Sequence, residues 1–343
     1  MSNSPKVSII MPVFNNEVYV EDQIRSLVAQ TFQDWELIII EDGSSDNTYE
    51  VLRELIKKYN LDSRATLVKN VVNEGVSKSF EKGLILAKGE YISVCDSDDY
   101  WFPNKLETSL DHLLKNTAIL VFSDLIVTDS KFSIIRKSFL KVGLKRFSRV
   151  HGHTFKELLQ NNHITGPTIL FDSVLKKYLL PFPKNVMQDY WIAIIASCIG
   201  KISLIKRPTM YYRQHSNNAV GYKSLGFKNL LSVFSSHGFE IFVKGHKAQK
   251  EMHLNMLQSL LLNESVKISN NYSLVQKKIY GTRLVLDYLT FFHTEHSLMF
   301  YLCTYLGCCV DFIRARIYVI DFLQINFFLF IKFYRWIFIC EKR

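Results

Sequence analysis

Short apolar runs alternate with helix-period stretches over the first 130 positions. Val7 to Met11 (VSIIM) is an unbroken apolar run ended by Pro12, which predicts a buried parallel strand. Residues 18–29 set Val18, Ile24, Leu27 and Val28 on one helical face. Glu36 to Ile40 predicts a second buried strand, closed by Glu41-Asp42-Gly43-Ser44. Asp46 reads as an N-cap before Val51, Leu52, Leu55 and Ile56, spaced for one helix face. A third strand is expected over 65–72, then a helix over 76–88 closed at Lys88-Gly89. A fourth strand over 91–95 runs into Asp96-Ser97-Asp98-Asp99. A helix over 103–115 begins at Pro103, and a fifth strand covers 118–127. This alternation predicts an α/β fold with a doubly wound, mostly parallel sheet. Ligands of such sheets sit at C-terminal strand ends. Three polar clusters fall there, at 12–15, 41–44 and 96–99, and would converge on one crevice.

The pattern then changes. Residues 131–220 are mixed, with a short helix near 154–161, a strand near 167–171, a helix near 188–199 and a strand near 202–205. Strand signal fades after 223, and 228–320 read as helices. With 343 residues, about two domains are expected. We place one α/β domain at 1–222, divided near 130, and an α-helical C-terminal region at 223–343.

Charge sharpens that division. Residues 1–110 hold 11 Lys/Arg and 18 Asp/Glu, a net of −7; the remaining 31 bases and 14 acids give +17. A basic half suits nucleic acid, an anionic membrane surface or a phosphorylated substrate. The six cysteines form no CxxC pair and no zinc spacing, and Met1–Lys6 lacks a signal-peptide apolar stretch. A cytoplasmic protein is expected. The tail run 317–331 is 15 residues long and contains Asp321, Gln324 and Asn326. A membrane span needs about 20 apolar residues. With Arg314, Arg316, Lys332 and Arg335 beside it, the run reads as an interfacial helix on an anionic leaflet, or as a buried helix.

Asp96, Asp98 and Asp99 repel one another unless solvated or bound to a cation. Hard oxygens suit Mg²⁺ or Mn²⁺, which favour phosphate oxygens. The competing reading is an acidic loop capping the next helix. Asp42 offers an acceptor to a nucleobase or ribose, or is simply a turn aspartate. No Gly-rich phosphate loop is present, so a metal is the natural partner for a diphosphate. Asp189 stands at the start of an apolar helix, where the helix dipole alone would favour an acid.

Lys6 to Asn15, Ala29-Gln-Thr-Phe32, Trp35 to Thr48, Asn73-Glu-Gly75, Ala87 to Ile92 and Asp96 to Asp99 together resemble the inverting glycosyltransferases of family 2. The resemblance covers about 6–220. Gln188-Asp-Tyr-Trp191 and Tyr212-Arg-Gln-His-Ser-Asn217 are similar to the rhamnosyltransferase-like branch of bacterial surface-polysaccharide enzymes. It implies a GT-A fold, a nucleotide-diphospho-sugar donor and a divalent metal. By position it implies that Pro12, Phe14, Asn15, Glu41, Asp42, Ser44, Asn73, Gly75, Asp96, Ser97 and Arg213 bind the donor. Asp96, Asp98 and His215 would hold the metal, and Asp189 would be the base. Asp99, Trp101, Thr165, Gly166, Gln188, Tyr190 and Trp191 would face the acceptor, with packing as the alternative for Trp101 and for the His163–Pro167 segment. Glu41 stands where many members have Asp, and Gln188 replaces an acidic residue. Arg335-Trp336 lacks the Gln of the processive enzymes' Q-x-x-R-W, so transfer of a single sugar is expected.

The resulting expectation is a metal-dependent inverting transferase at the inner membrane face, acting on a lipid-linked glycan. Two other classes compete. One is a transferase-like protein that only binds nucleotide sugar or glycan; intact Asp96, Asp98 and Asp189 argue against it. The other is a nucleic-acid binder, but the aromatics of the basic half lie in apolar contexts, and no nucleic-acid partner is expected.

Overall fold

A computed structural model describes residues 5–140, 155–216 and 251–283, apart from 160, 161, 163, 185, 270, 272, 277 and 281. The chain divides into two compact units, Met1–Ser224 with Leu262–Tyr272 and Leu225–Leu261 with Ser273–Arg343. The first unit opens with β1 (Val7–Val13), α1 (Val20–Val28), β2 (Trp35–Glu41), α2 (Thr48–Lys58), β3 (Ala65–Lys69) and α3 (Val76–Leu86). It continues with β4 (Tyr91–Val94), β5 (Tyr100–Trp101), α4 (Lys105–Lys115), β6 (Leu120–Thr128) and β7 (Ile134–Arg136). Then follow α5 (Phe155–Leu158), β8 (Leu170–Asp172), α6 (Lys176–Leu179), α7 (Gln188–Ile199) and β9 (Ile202–Arg213).

These strands form one sheet in the order β3-β2-β1-β4-β8-β6-β9-β5, with β7 pairing β6 off that path. β3, β2, β1 and β4 are parallel. β8 runs antiparallel to both β4 and β6, while β6 and β9 are parallel. The sheet is thus mixed, with the parallel part at the N-terminal side. β1 and β2 are unbroken apolar runs because helices cover both their faces. Ile9, Met11, Leu37 and Ile39 pack with Ile24, Leu27, Leu52 and Leu55 of α1 and α2. Ile10 and Ile40 face α3, where a Cβ on Gly83 would lie 2.4 Å from the Ile10 side chain.

Several boundaries differ from expectation for identifiable reasons. β1 passes through Pro12 to Val13; its ladder to β4 ends at Ile10 opposite Val94, so the missing N–H falls where β1 has lost one neighbour. β3 stops at Lys69 because the Asn70 side chain turns to Asp42. α2 begins at Thr48, yet Asp46 Oδ1 still accepts from Thr48 N at 3.0 Å. Gly89 is not a left-handed cap. α3 ends at Leu86, and Gly89 lies so near β1 that a Cβ would sit 2.5 Å from Ser8 N. A 3₁₀ turn at Gly166–Thr168 takes the front of the expected 167–171 strand. β9 extends to Arg213, well past the expected 205.

In the second unit the described residues 251–261 are helical, with Met256, Leu257 and Leu260 buried. The tail run 317–331 lies outside the described residues. Among those described, no helix is long and apolar enough to cross a membrane.

Candidate active site

Parallel register carries the C-terminal ends of β1, β2 and β4 to one edge of the sheet. Short polar bonds then stitch their loops together. Asn15, at φ 47°, accepts from Ser45 N through Oδ1 at 2.9 Å, and its own N–H donates to Ser44 Oγ at 2.9 Å. Asn16 Nδ2 donates to Ser97 Oγ at 2.6 Å, joining the β1 loop to the Asp96–Asp99 loop. Buried Glu41 accepts from Ser44 N at 2.6 Å. Asp42 accepts from Asn70 Nδ2, Glu74 N and Gly75 N at 2.7–2.9 Å, so it organises the loop before α3. Gly43 is required here: its φ is +71°, and a Cβ would meet the Val72 carbonyl carbon at 2.8 Å. Phe14 is 47% exposed, and Pro12, Asn73 and Gly75 share this rim with it. Phe14 thus stands exposed next to loops fixed by polar hydrogen bonds.

The Asp96–Asp99 loop follows β4 directly. Burial, then the Asp98 and Asp189 carboxylates, push Asp96 up to about 8. His215 Nε2 lies 3.0 Å from Asp98 Oδ2. Among the described residues no three His, Cys, Asp or Glu groups gather at one point, so the expected trio of Asp96, Asp98 and His215 is not assembled, and only Asp98 and His215 stand as a pair. Mg²⁺ and Mn²⁺ on nucleotides keep several positions for water and phosphate, so one carboxylate and one imidazole fit such an ion carried with a diphosphate. Asp99 lies beneath the loop, fully buried, and accepts from Arg213 N at 3.0 Å. Burial and its two acidic neighbours hold its carboxyl well above the ordinary range.

Asp189 lies in the first turn of α7, 8% exposed. Its Cβ would be 3.6 Å from a Cβ on Gly166, and the Val94 side chain at the end of β4 would be equally near. Burial raises its carboxyl to about 6, opposed by backbone N–H groups of Tyr190 and Gly166 and by the Asn162 amide. Asn162 Nδ2 donates to Asp189 Oδ1 at 3.2 Å. That amide was not anticipated from the sequence; only its place in an Asn-Asn pair before Ile164-Thr165-Gly166 marks it. Gln188 Oε1 lies 3.3 Å from Ser77 Oγ at the start of α3.

Besides the buried Asp99, four expected contact residues sit apart from the open crevice. Trp101 is fully buried under the Lys105 ammonium, and Trp191 is buried with Nε1 donating to Leu179 O at 2.9 Å. Tyr190 is buried, its hydroxyl donating to Leu158 O. Arg213 is 2% exposed, with its guanidinium on Asp22 at 2.7 Å. These four pack the scaffold beneath the site. Thr165 and Gly166 lie beside Asp189, whereas Asn217 lies outside the described residues.

The sequence profile of Glycosyl transferase family 2 matches residues 8–178. An uncharacterized glycosyltransferase of Haemophilus influenzae is 32% identical over 237 residues, covering 68% of this chain and 88% of that protein. The UDP-Glc:alpha-D-GlcNAc-diphosphoundecaprenol beta-1,3-glucosyltransferase WfgD of Escherichia coli is 32% identical over 190 residues, 55% of this chain and 69% of its own. The chain belongs to glycosyl transferase family 2 and is a glycosyltransferase. Residues 1–349 of S. aureus TarS in complex with UDP-GlcNAc share the fold at TM-score 0.51 and 15% identity, over 82% of this chain and 90% of that one. The mannosyltransferase PcManGT from Pyrobaculum calidifontis, in complex with GDP-Man and Mn²⁺, gives 0.51 and 14%, over 96% and 85%. The architecture is GT-A.

Proposed function

We propose that the chain moves one sugar from a nucleotide-diphospho-sugar onto a lipid-linked glycan, with inversion, in building a cell-surface polysaccharide. The observation that carries this reading is the placement of Asp189. It is a buried carboxylate beside Gly166 and the end of β4, close enough to raise the Asp96 carboxyl. A base is needed there, across from the diphosphate end of the donor. The acceptor hydroxyl attacks the anomeric carbon, the bond from that carbon to the diphosphate oxygen breaks, and the hydroxyl proton passes to Asp189. A raised carboxyl pKa brings the base nearer the alkoxide it must help to form.

Each crevice residue then has a role. Phe14 stacks on the base, with Pro12 beside it. Asp42 and Asn73 line the base and ribose pocket, Gly75 opens the α3 N-terminus to it, and Asn15, Glu41 and Ser44 hold its walls. Asp96 and Ser97 face the ribose and diphosphate, and Asp98 with His215 would hold a Mg²⁺ or Mn²⁺. That cation, when bound, supplies positive charge to the departing diphosphate. Thr165, Gly166 and Gln188 border the acceptor.

The acceptor class is supported by WfgD, whose name specifies a diphosphoundecaprenol-linked substrate. The net +17 of residues 111–343 favours peripheral attachment at the anionic inner face of the cell membrane. The rhamnosyltransferase-like motifs and the glucosyl donor in the WfgD name point to different sugars. A donor-hydrolysis screen over nucleotide sugars, with Mn²⁺, Mg²⁺ or chelator, tests the reading. Metal-stimulated turnover of at least one donor, abolished by chelator, is expected; donor binding with no turnover under any condition would contradict it.

A further inference from the structure

Four side chains form a continuous stack beneath the Asp98–His215 pair. The Arg213 guanidinium carbon lies 4.0 Å from the Phe132 ring centroid and 4.8 Å from that of Tyr19. Tyr19 in turn stacks on His215, with centroids 4.4 Å apart and planes at 23°. Asp22, one turn along α1 from Tyr19, accepts from the buried guanidinium at 2.7 Å.

Tyr19 gives His215 a packed ring face. Gln214 N donating to Thr128 O is the closing bond of the β9 edge, and His215 stands one residue past it. A backbone leaving its strand does not fix an imidazole plane. A ring face packed 4.4 Å away does, and it directs Nε2 at Asp98. Imidazole ligands are held by outer partners in this way, and loss of such a partner typically weakens metal binding about 10–100-fold.

We propose that Tyr19 is a positioning residue for the metal pair, pressed onto His215 by the Arg213–Asp22 ion pair behind it. The inference rests on the reading of Asp98 and His215 as metal ligands. Tyr19 acts through its ring and needs no hydroxyl. Its effect therefore exists only while His215 is present.

Mn²⁺ binding to the full chain, titrated with UDP present and followed by the electron paramagnetic resonance of free Mn²⁺, tests this. Wild type, Tyr19→Phe, Tyr19→Leu, Tyr19→Ala, His215→Ala and Tyr19→Leu/His215→Ala are compared. Tyr19→Phe should bind Mn²⁺ like wild type. Tyr19→Leu, which keeps apolar bulk, and Tyr19→Ala should both bind about tenfold more weakly. The double variant should be no weaker than His215→Ala alone. If His215→Ala weakens binding but Tyr19→Leu does not, or if the two losses add, the positioning role is overturned and the metal pair stands. If His215→Ala leaves Mn²⁺ binding unchanged, or wild type binds none, the metal reading itself falls and the inference with it.

Discussion

Asn16 Nδ2 donates to Ser97 Oγ at 2.6 Å, across 81 residues of sequence. Both groups are buried, and the bond ties the loop after β1 to the loop after β4. Asn16→Ala removes the donor and leaves the Ser97 hydroxyl short of a partner. A loss of about 1–2 kcal/mol in urea unfolding is expected. Because the bond sets the spacing of the crevice walls, the donor KM should rise several-fold, with a smaller change in kcat.

Gly43 and Gly75 both have positive φ, +71° and +90°, but their surroundings differ. A Cβ on Gly43 runs into Val72 backbone at 2.8 Å, whereas one on Gly75 meets nothing within 4 Å. Gly75→Ala should cost the conformational strain alone, up to about 3 kcal/mol, because φ 90° with ψ 155° is a region essentially reserved for glycine. Gly43→Ala adds a backbone clash that displaces the 72–75 loop, so it should cost about 2–4 kcal/mol. It should also weaken nucleotide binding, measured by calorimetric titration with UDP.

Activity should depend on pH through Asp189. Burial raises that carboxyl to about 6, and the base works only when ionised. The log of kcat/KM should therefore have an acid limb of unit slope below about 6, whereas an ordinary surface aspartate would hold activity down to about 4. Asn162 donates to the charged form, so Asn162→Ala should move the acid limb upward. Gln188→Glu places a like charge on the adjacent residue and should move it upward as well. A limb that moved downward in either variant would contradict the assignment.

Much of the parallel part of the fold was legible in the sequence. β1, β2 and β4 are covered on both faces, and double coverage writes itself as unbroken apolar runs such as Glu36–Ile40. Their ends were legible too, since Asn15, Asp42 and Asp96 are polar residues directly after such runs. β5 is only Tyr100–Trp101, and the second half of β9, with Lys206, Arg207 and Pro208, reads as a loop because it lies partly exposed. Side-chain burial was the least legible feature. Trp101 and Arg213 stand in motifs that suggest contact with ligand, yet Lys105 covers the first and Asp22, Tyr19 and Phe132 enclose the second. Those partners are remote in sequence, and no local pattern announces them. The same holds for Gly89, whose reason is the backbone of Ser8.

Asp189 as base is the central claim, and transfer or donor hydrolysis by Asp189→Asn tests it most directly. The substitution keeps the size of the side chain and its place beside Gly166 while removing its capacity to take a proton. The account predicts a rate lower by about 10²–10⁴, with UDP affinity within a factor of about two of wild type. A variant that turns over at the wild-type rate would contradict it.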